Sequence, residues 1–292
     1  MMQPTPWPLP SAICTQLAIK KGLRNKMEQI TSTSNPQIKL IRKLKDRKFR
    51  AESNLFFLEG VRIVIEALEA GPWITQLIVS RELLGSNKAV EVVEEAEIKG
   101  VPILEVSKVV FESISSKDGP QGLAAVAQQK WTELDLNTQQ ISGTWIALYQ
   151  VADPGNLGTI LRTLDGMGGA GLILLDNCTD PFDPSAIRAS MGAIFSKQII
   201  KSTSQDFVDW IAKNGIKVTG TADSAKADYR QYRYPDNGIL LMGSEREGLP
   251  DALAAICDDV VSIPMMGRAD SLNLAVASSI LLYEIASQQQ AH

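Results

Sequence analysis

The sequence predicts an α/β protein built from two domains. Three observations carry this expectation. Apolar, β-branched runs alternate with helical patterns, one polar stretch without pattern interrupts the alternation, and it then resumes to the end of the chain. Residues 27–129 read as a small α/β domain, 130–143 as a linker and 144–292 as a second, mostly parallel α/β domain. Residues 1–26 are expected to be a disordered extension, with Met27 a candidate start. They carry Pro4, Pro6, Pro8 and Pro10 and no basic residue before Lys20, which fits neither a signal nor a transit peptide.

In the first domain, Ser34-Asn35-Pro36 opens a helix, with Ser34 or Asn35 as cap and Pro36 in the first turn. Ile38, Ile41 and Leu44 share its apolar face. Leu55–Leu58 follows as a buried strand, Val61–Ala70 as a helix, Leu77–Ser80 as a strand and Asn87–Lys99 as a helix. Val101–Val106 is a strand, a short helix starts at Ser107, and Gly122–Gln128 is the last strand. In the second domain, strand Trp145–Val151 leads to helix Gly155–Asp165 and strand Gly171–Leu175. A helix at Ser185–Met191, a helix at Gln205–Asn214, and strands at Ile216–Thr221, Ile239–Met242 and Val260–Ile263 follow. A long final helix rich in small residues ends the chain, with Asp270 or Ser271 as its N-cap.

Composition narrows the chemistry. With 45% hydrophobic and 21% charged residues, the 292-residue chain can build globular cores, and no apolar run reaches the about 20 residues of a membrane span. Cys14, Cys178 and Cys257 lack metal-like or pairing spacing, which suits a reducing, cytoplasmic setting. The one histidine is His292, so imidazole-based nucleophile schemes and His-bearing zinc sites are excluded, and no metal is expected. Net charge is −4, but residues 20–50 hold 11 Lys or Arg against Glu28 and Asp46, leaving 18 basic and 31 acidic residues elsewhere. This asymmetry reads either as a phosphate-binding face, with Lys39, Arg42, Lys43 and Arg47 as RNA contacts, or as a solvated helix face.

Gly166-Met-Gly-Gly-Ala-Gly171 spells the dinucleotide fingerprint, but a helix precedes it and a strand follows, the reverse of what pyrophosphate binding needs. The glycines read instead as a helix terminus. Three loops do lie at strand C-terminal ends, where open α/β sheets bind ligands. They are Asp153-Pro-Gly-Asn-Leu-Gly-Thr-Ile-Leu-Arg162, Gly243-Ser-Glu-Arg-Glu-Gly-Leu-Pro250 and the stretch from Ile263-Pro-Met-Met-Gly267 to Ser271-Leu-Asn273.

In this order the three loops resemble the motifs of the SpoU (TrmH-type) RNA ribose methyltransferases. Ser185–Phe195 resembles a further family segment, and Phe57-Leu-Glu-Gly-Val-Arg62 with Gly119-Pro-Gln-Gly-Leu123 resembles the family's substrate-binding domain. Position 153 is Asp where many relatives have Asn. The resemblance implies a C-terminal SPOUT α/β domain with a trefoil knot, a homodimer, and transfer of a methyl group from S-adenosyl-L-methionine to a ribose 2′-hydroxyl of rRNA or tRNA. It implies cofactor contacts at Leu241, Gly243, Ile263, Met265 and Leu272. It marks Arg162 as the key catalytic residue, either the base or, since a guanidinium is a poor proton acceptor, a grip on RNA phosphate. Asn156 and Ser271 would orient the ribose, Asn273 would hold the loop or ligand, and Glu245 would fix Arg162 or receive a proton through water. Two other classes remain at this point: a catalytically silent RNA-binding protein, and an α/β enzyme using another nucleotide.

Overall fold

A computed structural model describes residues 29–134 and 141–290. The expectations for residues 1–26, Met27, Cys14 and His292, and for the middle of the linker, lie outside the described residues. The chain divides into two compact units, residues 1–129 and 130–292.

The first unit starts with α1 (Pro36–Lys43), capped by Asn35, whose Oδ1 accepts from Gln37 N at 2.8 Å. A second short helix, α2 (Arg47–Ser53), follows where the sequence suggested none. Its basic residues break the apolar period, yet Asp46 caps it by accepting from Phe49 N, and Arg50 folds inward. Arg50 is 1% exposed and donates to the Leu44 and Lys45 carbonyls. Then come β1 (Leu55–Glu59), α3 (Val61–Glu69), β2 (Ile74–Val79), α4 (Asn87–Ile98), β3 (Ile103–Glu105), α5 (Lys108–Ile114) and β4 (Leu123–Gln128). The sheet order is β1-β4-β2-β3, with β4 antiparallel to both neighbours and β2 parallel to β3. One face packs on Ile38, Ile41, Leu44 and Phe111, so the apolar stripe of α1 is core.

The second unit is a seven-stranded, wholly parallel sheet in the order β7-β6-β5-β10-β8-β11-β9. Its elements are β5 (Thr144–Tyr149), α6 (Pro154–Gly166), β6 (Gly171–Leu175), α7 (Pro184–Ser190), β7 (Gln198–Ser202), α8 (Ser204–Asn214), β8 (Val218–Thr221), β9 (Ala227–Asp228), β10 (Gly238–Met242), α9 (Asp251–Ala254), β11 (Asp259–Ser262) and α10 (Leu274–Gln290). Central strands β6 and β10 are buried throughout, as helices on both faces require. Strand β7 escaped the sequence because only Ile199 and Ile200 of its five residues are buried, the pattern of an edge.

The glycine run behaves as a terminus. Gly168 takes φ +77°, Gly169 N bonds back to Leu164 O at 2.8 Å, and β6 begins at Gly171. Helix α10 starts later than the sequence suggested. Its cap is Asn273, whose Oδ1 accepts from Ala275 N at 2.9 Å and Val276 N at 3.3 Å. Neither Asp270 nor Ser271 caps it, because the chain stays non-helical through Asn273 while it borders the cleft described next.

Candidate active site

The C-terminal ends of β8, β10 and β11 open into a cleft of about 720 Å³. Parallel strands end together, so the loops that leave them converge there. Met242 to Leu249 form one wall, Ile263 to Leu274 another, and Thr221 to Ser224 a third. The sequence reading missed the third wall; its one available signal was that Thr221 ends a parallel strand. Of the expected cofactor contacts, Gly243, Ile263, Met265 and Leu272 line the cleft. Leu241 does not. It lies in the middle of the sheet at 0% exposure, and Met242, one residue nearer the strand end, borders the cleft instead.

Gly243 cannot carry a side chain without moving its neighbours: a Cβ there would lie 2.2 Å from Gly248 C. The loop closes on itself through Ser244 N to Gly248 O and Gly248 N to Ser244 O, both 3.1 Å, with Gly248 at φ +68°. This closed turn holds Glu245 at the cleft mouth.

There the three loops meet. Asn156, in the first turn of α6, donates from Nδ2 to Glu245 Oε1 at 3.2 Å, and its Oδ1 accepts from Asn273 Nδ2 at 3.0 Å. Glu245 Oε2 accepts from Ala152 N at 3.4 Å. Asp153 caps α6 by accepting from Asn156 N at 2.7 Å, which sets the direction of Asn156. Asn156, Glu245 and Asn273 are thus brought together, and Ser271 lines the same cleft. Arg162 stands apart. It is exposed on α6 and has no hydrogen bond or ion pair among the described residues, so Glu245 is turned to Asn156 rather than to the guanidinium.

Helix α6 is positioned by a close approach to α7. A Cβ on Gly158 would lie 2.3 Å from Ala186 O and 2.7 Å from Ala189 Cβ. Packing of α6 on α10 is fixed at Thr163 Oγ1 and Ser279 Oγ, 2.9 Å apart. Neither described thiol, Cys178 or Cys257, is activated. Burial pushes the Cys257 thiol up to about 12, with Asp258 adding to the shift, and burial likewise raises Cys178. Among the described residues no group of three His, Cys, Asp or Glu is arranged to hold a metal, and no helix is long and apolar enough to cross a membrane.

The expected RNA contacts are in the first unit. Lys39, Lys43 and Arg47 are exposed on α1 and α2. Lys43 Nζ lies 5.6 Å from the centre of the Phe49 ring. Arg42 is half-buried and donates to Thr33 O and, at 3.4 Å, to Ser113 Oγ.

Residues 143–283 match the SpoU rRNA Methylase family model, and residues 35–125 match the MRM3-like substrate binding domain. A 23S rRNA (guanosine(2553)-2′-O)-methyltransferase of Bacillus subtilis, RlmP, is 30% identical over 259 residues, 89% of this chain and 99% of the relative. A 23S rRNA (uridine(2479)-2′-O)-methyltransferase of Streptomyces viridochromogenes is 29% identical over 84% of this chain and 87% of its own. Among solved structures, an AdoMet-bound rRNA methyltransferase from Sinorhizobium meliloti superposes with a TM-score of 0.81 at 38% identity, covering 89% of this chain and 97% of that one. The α/β fold with its N-terminal substrate-binding domain matches these structures. The chain belongs to the SpoU rRNA methylase family.

Proposed function

We propose that this chain transfers a methyl group from S-adenosyl-L-methionine to a ribose 2′-hydroxyl of ribosomal RNA. The observation that carries the reading is the joining of Asn156, Glu245 and Asn273, one from each motif loop, at the mouth of a cleft large enough for the donor. The residues present suit it. Gly243, Ile263, Met265 and Leu272 offer backbone groups and apolar walls for the adenosine, and Asp223 and Glu247 add negative charge for a cationic ligand. Bound S-adenosyl-L-methionine supplies an electrophilic methyl group with a neutral leaving thioether, so no general acid is required.

What remains for the protein is to orient the hydroxyl and remove its proton. On this reading Ser271 and Asn156 orient the ribose. Asn273 holds two loops in register. Arg162 grips an RNA phosphate and stabilises the developing oxyanion, a role that suits a guanidinium better than proton abstraction. Glu245 receives the proton through water. Residues 27–129, with Lys39, Arg42, Lys43 and Arg47, serve as the RNA substrate-binding domain, 130–143 as the linker and 144–292 as the methyltransferase domain.

Three further parts of the reading rest on the second unit and the family. Chain leaving β10 runs to β11 on the far side of β8, and α10 returns to pack on β10 and α6, a path that favours a trefoil knot. Helix α10 presents Val276 and Tyr283, 48% and 58% exposed, which favours a homodimer built on that face. A cytoplasmic setting follows from the substrate. Calorimetric titration with S-adenosyl-L-homocysteine, with NAD as control, and incorporation of labelled methyl into large-subunit rRNA test the reading. Homocysteine-product binding with transfer to tRNA instead would redirect the substrate; RNA binding without either would leave a silent RNA-binding protein.

A further inference from the structure

Two segments of the first unit, separated by about sixty residues, meet at one end of its sheet. Strand β1 ends at Glu59 and pairs there with β4, and Gly60 N donates to Leu123 O at 3.0 Å. Gly60 takes φ +116° and stands at the N-terminus of α3 with no side-chain cap. A Cβ on it would lie 2.6 Å from Lys117 Nζ and 3.8 Å from Gln121 Oε1, so the lysine ammonium occupies the space a side chain would fill. The loop carrying Lys117 is held in place. The Glu59 carboxylate accepts from Ser115 Oγ and, at 2.9 Å, from Ser116 N, and Ser115 Oγ accepts from Lys117 N at 3.0 Å.

This placement runs against the helix dipole. A cation set at the positive end of a helix costs stability, and acidic residues are absent from the first turn of α3. Glu59, the nearest carboxylate in sequence, is taken up by the two serines, and the neighbouring Asp118 is exposed. Neither the Lys117 ammonium nor the guanidinium of the exposed Arg62, in the first turn of α3, has a hydrogen bond or ion pair among the described residues. Local rules broken in this way mark sites where an absent partner completes the charge balance. The surface continues toward α1 and α2: Lys45 Nζ donates to Ser115 O at 3.0 Å and Arg42 reaches Ser113.

We propose that Lys117, beside Gly60, and Arg62, in the first turn of the helix that Gly60 opens, clasp a phosphate of the substrate RNA and extend the basic face of α1 and α2 around the unit. The proposal rests on the reading of residues 27–129 as the RNA substrate-binding domain. Two positively charged side chains at an uncapped helix start suit a phosphodiester, which carries charge and acceptor oxygens but demands no base identity. The clasp therefore sets register on the RNA, while the chemistry occurs in the other unit.

The test uses the full chain and an in vitro transcript of large-subunit rRNA. Binding is followed by fluorescence anisotropy at several salt concentrations, and S-adenosyl-L-homocysteine binding by calorimetry. Lys117→Ala and Arg62→Ala should each weaken RNA binding about five- to tenfold and lower the slope of log K against log salt by about 0.7–0.9. Lys117→Arg should restore both, Lys88→Ala should alter neither, and homocysteine-product affinity should hold throughout. Wild-type RNA affinity and salt slope in the Lys117→Ala, Arg62→Ala double variant would overturn the clasp alone. A wild-type chain that binds no RNA would overturn the clasp together with the functional reading.

Discussion

Asn273 donates its side-chain amide to Asn156 Oδ1 at 3.0 Å, joining residues 117 positions apart in the chain. The same Asn273 caps α10 through its Oδ1, so one side chain ties a helix start to the mouth of the cleft. Asn156→Ala and Asn273→Ala should each lower single-turnover methyl transfer by about ten- to a hundredfold, roughly the 1.4 kcal/mol per decade of a positioning loss. Because the two share a bond, the double variant should lose less than the product of the single losses, with a coupling of about 0.5–3 kcal/mol. Strictly multiplicative losses would show that the bond does not serve the reaction.

Arg162 carries a different expectation, since its guanidinium has no hydrogen bond or ion pair among the described residues. Arg162→Ala should abolish nearly all methyl transfer while leaving S-adenosyl-L-homocysteine binding intact, as a calorimetric titration beside a labelled-methyl assay would show. Normal turnover in that variant would remove Arg162 from the reaction.

Gly158 tests the scaffold beneath both residues. A Cβ there would meet Ala186 O at 2.3 Å, so Gly158→Ala must push α6 from α7. Overpacking of this kind costs about 1–3 kcal/mol. Thermal unfolding should shift down by about 2–4 °C for each kcal/mol, with transfer falling further than stability alone explains. An unchanged midpoint would mean that the helices yield freely.

Alkaline pH should expose Cys257. Its folded thiol is pushed up to about 12, against about 8.5 in an unfolded chain. The folded state then binds more protons than the unfolded state between those values. Its contribution to stability is whole below about pH 8.5 and is lost as pH rises through the folded value. Denaturant unfolding at pH 8 and pH 10 should show a drop that Cys257→Ala reduces, and iodoacetamide at pH 8 should leave native Cys257 unlabelled. Rapid labelling of the native thiol would contradict the burial.

The dimer is tested on α10. Wild-type chain should scatter light as a dimer at micromolar concentration, and Tyr283→Glu with Val276→Glu should shift it to monomer by placing charge on an apolar face. A strict wild-type monomer would remove the proposed interface.

Much of the architecture was legible because it rests on local pattern. The apolar stripe of α1, the fully apolar β6 and β10, and the inverted glycine run each state their role within a dozen residues. What escaped depends on polar contacts that leave no apolar period, some of them to partners distant in sequence. Helix α2 is specified by an Asp46 cap and an inward Arg50, not by apolar period. The cap of α10 moved from Asp270 or Ser271 to Asn273 because the preceding residues border the cleft. Glu245 chose Asn156 over Arg162, and Leu241 yielded its place on the wall to Met242. Such choices are made between loops, and no local pattern records them.

The bonds that join the three loops span 89 and 117 residues, and Asn273 stands near the last helix. A chain synthesised only as far as β11 holds the first two loops but lacks the third side of the cleft mouth. On the proposed reading, in which residues 27–129 bind RNA, such a chain would carry the RNA-binding unit before it could carry out methyl transfer. Termination ahead of residue 273 would then separate RNA binding from methyl transfer, since the bond from Asn273 to Asn156 could not form.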